Sequence, residues 1–120
     1  MLRALIAMVH VEDVPRSIAF YGKLGLEVRS THVLEGETEP VWAMLESGGA
    51  RLMLTRADAP VDRERQAIFF YGYCDDVPAF RDRLIAEGVA VGPIEYPFYC
   101  PNGQFRVVDP DGILVMVTHT

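Results

Sequence analysis

The sequence predicts an α+β fold assembled from two copies of one βαβββ unit, and three observations predict it. First, short signatures return at a fixed offset of 63 positions: Asp13-Val14-Pro15 as Asp76-Val77-Pro78, Gly25-Leu26-Glu27-Val28 as Gly88-Val89-Ala90-Val91, and Gly48-Gly49 as Asp111-Gly112. Second, each Asp-Val-Pro opens a stretch with apolar residues at helical spacing and ends on a glycine. Third, short β-branched and apolar runs, bounded by turn dipeptides, flank both helices. The chain reads as a single domain with module 1 at residues 1–56, a linker at 57–65 and module 2 at 66–120.

Residues 5–11 are apolar almost throughout, the pattern of a strand covered on both faces. Asp13 offers an N-cap, and Pro15 suits a first helical turn, where its missing N–H has no partner to lose. Val14, Ile18, Tyr21 and Leu24 form one helical face, and Gly25 is placed to end the helix in the left-handed region. Residues 26–34 read as a strand, 35–40 as a polar loop, and 41–46 with 51–55 as a hairpin about Gly48-Gly49. The linker is charged, contains Pro60 and has no periodicity. Module 2 repeats the order with a strand at 67–74, a helix capped by Asp76 and stopped at Gly88, and a strand at 89–94. An aromatic loop at 95–102 follows. The final hairpin turns at Asp111-Gly112, where a type I′ turn is expected.

Composition narrows the function classes. The chain has 120 residues, 50% of them hydrophobic and 23% charged, which is ordinary for a globular protein. A net charge of −6 argues against a nucleic-acid or anionic-membrane partner and suits cationic small ligands. No apolar run approaches the roughly 20 residues that cross a bilayer. Residues 1–10 lack a small-residue cleavage site and run straight into Glu12-Asp13, so they read as the first strand of a cytoplasmic protein. Cys74 lies in an apolar run and is expected as a buried free thiol, and nothing basic in sequence neighbours Cys100.

The tandem βαβββ pattern, with Phe20-Tyr21-x-x-Leu24-Gly25-Leu26-Glu27-Val28 after the first helix and Phe105-Arg106-Val107-Val108-Asp109-Pro110-Asp111-Gly112 before the last strand, resembles the vicinal-oxygen-chelate superfamily. That superfamily holds glyoxalase I, fosfomycin-resistance enzymes, extradiol dioxygenases and bleomycin-resistance proteins. The resemblance implies strands curved into open cups that face each other or those of a partner chain. It also implies, in metal-dependent members, a His on each first strand and a Glu on each last strand. The matching positions here are Ile6, Phe69, Met53 and Met116. Ile and Phe offer no donor atom, and a thioether is a poor ligand for the divalent ions of these enzymes. No metal and no cofactor are expected.

Side chains alternate along a strand, so residues two apart share a face. Counting from those four positions, Ile6, Met8 and His10, then Phe69, Tyr71 and Tyr73, then Arg51, Met53 and Thr55, then Leu114, Met116 and Thr118 should face the cups. Trp42 and Met44 extend the lining. Leu5, Ala7, Val9, Leu52, Leu54, Ile68, Phe70, Val115 and Val117 should lie under the helices. The expected ligand-binding set is therefore Ile6, Met8, His10, Trp42, Met44, Met53, Phe69, Tyr71, Tyr73, Leu114 and Met116.

Each pick has a plainer reading. A lone His such as His10 is more often a hydrogen-bonded structural residue than a base. Met53 and Met116 serve equally well as core. Asp109 and Arg106 fit the demands of the hairpin. No phosphate loop, CxxC or Ser-His-Asp signature is present. The leading expectation is a metal-free, bleomycin-resistance-like protein that sequesters an aromatic or cationic small molecule as a homodimer. The alternative is a lyase, isomerase or dioxygenase-type enzyme, with a degenerate metal site or an acid–base mechanism using His10 and Tyr71 or Tyr73. A third is a structural module whose cup is filled by its own side chains.

Overall fold

A computed structural model describes residues 1–119. The chain divides into two compact units, Met1–Val61 and Asp62–Thr120.

The first unit runs β1 (Met8–Val11), α1 (Val14–Lys23), β2 (Glu27–Val33), β3 (Pro40–Ser47) and β4 (Ala50–Arg56). Its sheet has the order β1-β4-β3-β2, with β1 parallel to β4 and the other pairs antiparallel. The Asp13 carboxylate accepts the Arg16 amide at 3.0 Å, which satisfies one of the donors a helix start leaves open. Gly25, at φ 102°, ends the helix. Helix α1 packs on β2, β3 and β4, burying Val14, Ser17 and Tyr21 in the layer that holds Val11, Ala43, Leu45 and Leu54.

The second unit runs β5 (Phe70–Tyr73), α2 (Val77–Ala86), β6 (Gln104–Val108) and β7 (Leu114–Thr118), with sheet order β5-β7-β6 and β5 parallel to β7. Asp76 caps α2 as Asp13 caps α1, accepting from the Ala79 amide at 3.0 Å. Its core gathers Val77, Leu84, Phe105, Val107, Val115 and Val117, and the Phe80 ring lies 6.4 Å from that of Phe105.

Three expectations need correction. Residues 89–94 do not form a regular strand. Gly92 N–H donates to the Arg106 carbonyl at 2.9 Å, Glu95 and Gln104 exchange two hydrogen bonds, and Pro93 between them has no N–H to continue a ladder. Strands β1 and β5 start later than expected, and Leu5, Ala7 and Ile68 are exposed rather than packed beneath helices. Pairing of β5 with β7 begins at Phe70 opposite Val115, so Ile68 lies beyond the last rung.

The final turn is not type I′. Gly112 alone has positive φ, at 90°, and Gly112 N–H donates to the Asp109 carbonyl while Asp109 N–H donates to that of Ile113. Pro110 holds φ near −65°, which suits the first central residue of a type I turn, and Gly112 supplies the left-handed residue that closes a three-residue loop. The carboxylate of Asp109 accepts the amides of Asp111 and Ile113 at 2.9 and 2.8 Å. This explains a buried acid without invoking chemistry. The first hairpin keeps the shorter form, with Ser47 opposite Ala50 and only Gly48–Gly49 between them.

Candidate functional site

Each unit has one sheet face under its helix and one opposite. Residues directly paired across strands share a face. On the face of the first unit away from α1, two rows cross the sheet. Met8 pairs with Met53, Met53 with Met44, and Met44 with Ser30. One step along, His10 pairs with Thr55, Thr55 with Trp42, and Trp42 with His32. A bulge at Arg29 keeps Ser30 and His32 in phase with these rows. Met8 is 51% exposed, while Met44, Met53 and Trp42 are half-buried. The result is an open apolar floor of three methionines and a tryptophan, with imidazoles at both ends of one row. Ile6 precedes β1 and is half-buried, and the Ala7 carbonyl accepts the Met53 amide at 2.9 Å, carrying the pairing one residue beyond the strand.

The second unit repeats the arrangement. Tyr71 pairs with Met116 and Met116 with Arg106; Tyr73 pairs with Thr118 and Thr118 with Gln104. Phe69, just before β5, lines up on one face with Tyr71 and Tyr73. Ring centroids are 5.7 Å apart for Phe69 and Tyr71, and 6.4 Å for Tyr71 and Tyr73, whose planes are 25° from parallel. Tyr71 is 46% and Tyr73 64% exposed. Met116 is buried and Leu114 half-buried, so the rings of β5, rather than the Met116 side chain, form the accessible part of this face.

Residues that sequence reasoning missed are Gln104 and Arg106. An offset of 63 equates Trp42 and Met44 with Phe105 and Val107, yet both of the latter are core residues. The three-residue loop in the second hairpin is one residue longer than the Gly48–Gly49 turn and shifts the phase. Gln104 therefore takes the place of Trp42, opposite Thr118 as Trp42 is opposite Thr55. The signal was Pro110, which disfavours the tighter turn.

At that end of the sheet, residues 95–102 fold beside β6 and β7. Cys100 is buried, its Sγ 2.6 Å from Thr118 Oγ1 and 3.2 Å from the Gly103 carbonyl. Gln104 Nε2 donates to the Tyr99 hydroxyl at 3.3 Å. The Cys74 thiol is pushed above its ordinary pKa, first by burial, with the Asp75 and Asp76 carboxylates adding to the shift and a backbone hydrogen bond at Asp76 opposing it. The upward shift disfavours the thiolate, which is the nucleophilic form, and Cys74 is half-buried rather than buried as expected.

The chemistry of the donor set speaks against the superfamily's metal ligation. Met53 and Met116 are the central residues of β4 and β7, flanked in register by Met8 and Met44 and by Tyr71 and Arg106. The side chains of Ile6, Phe69, Met53 and Met116 carry neither nitrogen nor oxygen. Among the described residues, no three His, Cys, Asp or Glu side chains are grouped to hold an ion. Also among the described residues, no helix is long and apolar enough to cross a membrane.

Two helix-backed sheets, each with β1 or β5 parallel to the final strand and an open face opposite the helix, define the glyoxalase/bleomycin-resistance fold. The chain belongs to the Glyoxalase/Bleomycin resistance protein/Dioxygenase superfamily, whose family model matches residues 4–117. Among solved structures it resembles a bleomycin-binding protein complexed with bleomycin, at 17% identity and TM-score 0.76, covering 99% of each chain. It also resembles TnmS3, an antibiotic binding protein from Streptomyces sp. CB03234, at 22% identity and TM-score 0.72, covering 99% of this chain and 96% of that one. The genomically encoded fosfomycin resistance protein FosX from Listeria monocytogenes is similar at 15% identity and TM-score 0.75, covering 100% and 95%. These likenesses establish the fold. A search of curated protein sequences finds no match.

Proposed function

We propose that this protein is a metal-free small-molecule binder that sequesters a planar aromatic ligand, with cationic ones favoured, in a cup lined by aromatic and methionine side chains. The observation that carries this reading is the ladder of Phe69, Tyr71 and Tyr73, three accessible rings on one strand face. Soluble domains rarely spend three aromatic rings on an exposed sheet face without a use for them. Flat π faces suit offset stacking, and a cation over such a ring gains roughly 0.5–2 kcal/mol depending on desolvation. The net charge of −6 adds long-range attraction that weakens with salt. The kinship with bleomycin-binding and antibiotic-binding proteins supports small-molecule capture, and the ligand of this chain is chosen by its own lining.

The same reading includes a cytoplasmic homodimer, because two-fold pairing is the commonest way to cover apolar area of the kind Met8, Phe69 and Tyr71 leave exposed. Native mass spectrometry of protein taken directly from cell extract tests these elements together. It should give twice the mass of the 13.4 kDa chain, no stoichiometric Ni, Zn, Mn or Fe, and a retained aromatic small molecule. A single-chain mass would remove the dimer, and about one metal ion per chain surviving dialysis would overturn the metal-free reading.

A further inference from the structure

The row Tyr73–Thr118–Gln104 ends in a polar group that the fold leaves unanswered. Gln104 is 3% exposed, and its Oε1 is sealed with no hydrogen-bond partner, while its Nε2 donates to Tyr99. A buried acceptor without a donor is costly, and such groups in folded proteins ask for an explanation. Two neighbouring hydrogens are already committed. Thr118 Oγ1 and Cys100 Sγ are 2.6 Å apart and each lies 3.2 Å from the Gly103 carbonyl. One of the two donates to that carbonyl and the other to its neighbour, leaving neither for Gln104. The Tyr99 hydroxyl oxygen accepts from Nε2, the other end of the amide from Oε1. Tyr99 itself is 60% exposed and sits on the loop rather than in the sheet, so its side chain can turn away from the amide it contacts without disturbing a strand.

We infer that Gln104 is a specificity-determining residue whose Oε1 receives an N–H donor from the edge of a planar ligand lying on the aromatic face of β5. The inference rests on the binding role proposed for that face and adds the chemical class: a flat heteroaromatic carrying an N–H at its rim. Tyr73 and Gln104 both pair with Thr118, so the rim donor and the stacked ring belong to one face of one sheet. The equivalent residue of the first unit, Trp42, offers no acceptor, which restricts this selectivity to the second unit.

The test compares tryptamine with 1-methyltryptamine by isothermal titration calorimetry. Both are planar cations, and they differ in one N–H. Tryptamine should bind about fivefold or more tightly, as expected when a buried unpaired acceptor gains a donor. The preference should shrink to within about twofold in Gln104→Met and persist in Tyr99→Phe, which keeps the acceptor. Equal affinities in the wild-type protein would overturn the role of Gln104 while leaving cation binding intact. Loss of the preference in Tyr99→Phe would transfer it to the tyrosine hydroxyl and equally overturn the assignment. Binding of neither compound would overturn both this inference and the proposed cation-binding face. If Gln104→Met fails to fold, the wild-type ratio and Tyr99→Phe still decide.

Discussion

Tyr71 lies directly opposite Met116 across the parallel pair β5–β7, as Met8 lies opposite Met53 across β1–β4. Both residues of the second pair sit 63 positions before those of the first, so the duplicated unit reproduces these rungs even though the counterpart of β2 is not a regular strand. What differs is the side chain. The first unit places a flexible thioether where the second places a ring, and the ring stands in line with Phe69 and Tyr73. A methionine adapts to many shapes, whereas a row of aromatic rings prefers flat ones.

The tightest point in the second unit is Gly112. It combines φ 90° with an approach in which an added Cβ would clash with the Arg63 carbonyl oxygen. Gly112→Ala should therefore destabilise by about 2 kcal/mol or more, since left-handed strain and a backbone clash combine. Gly48→Ala, at φ 55° with open space around it, should cost only about 1 kcal/mol. Urea unfolding monitored by circular dichroism separates the two, and equal losses would mean that the linker yields to the new methyl.

The two helix caps should be equivalent and independent. Asp13→Ala and Asp76→Ala each remove one 3.0 Å bond to a helix amide, and each should cost about 1 kcal/mol. The double variant should lose the sum, since each carboxylate serves its own helix. Thermal melts of the four proteins test this.

Most of the fold was readable because its signals are local. Asp13 and Asp76 as caps, Gly25 and Gly88 as stops, and alternation along β4, β5 and β7 all act within a few residues. The strand expected at 89–94 was not readable, because repeat symmetry spoke for it and the missing N–H of Pro93 spoke against it. On the candidate face, Met8, Met53 and Tyr71 follow from alternation counted from the positions that the superfamily resemblance marks, and Met44 from extending the same parity to the next strand. Gln104 and Arg106 do not, because their phase depends on one extra loop residue at Pro110. The exposure of Leu5 and Ile68 depends on where neighbouring strands begin, which no local pattern encodes.

Burial raises the Cys74 thiol above the value it has in the unfolded chain. The sign follows directly: this group contributes stability that is complete below the unfolded pKa and lost as pH rises through the folded one. Alkylation by iodoacetamide, followed by peptide mapping, should show Cys74 reacting with a pH midpoint above that of the urea-unfolded protein. Cys100, 5% exposed, should stay protected in the folded protein across the same range. A Cys74 midpoint at or below the unfolded value would show that it faces a positive charge instead.

The most direct test of the aromatic face is a calorimetric titration of wild-type protein and Tyr71→Ala with three probes: a planar quinolinium cation, neutral naphthalene-type aromatics and an aliphatic dicarboxylate. The wild-type protein should bind them in that order, and the cation should weaken as salt rises. Tyr71→Ala should lose about 1 kcal/mol of cation affinity or more, roughly a fivefold change, because the central ring of the ladder is gone. Tightest binding of the dicarboxylate, or unchanged cation affinity in Tyr71→Ala, would contradict the account and return these rings to the role of packing.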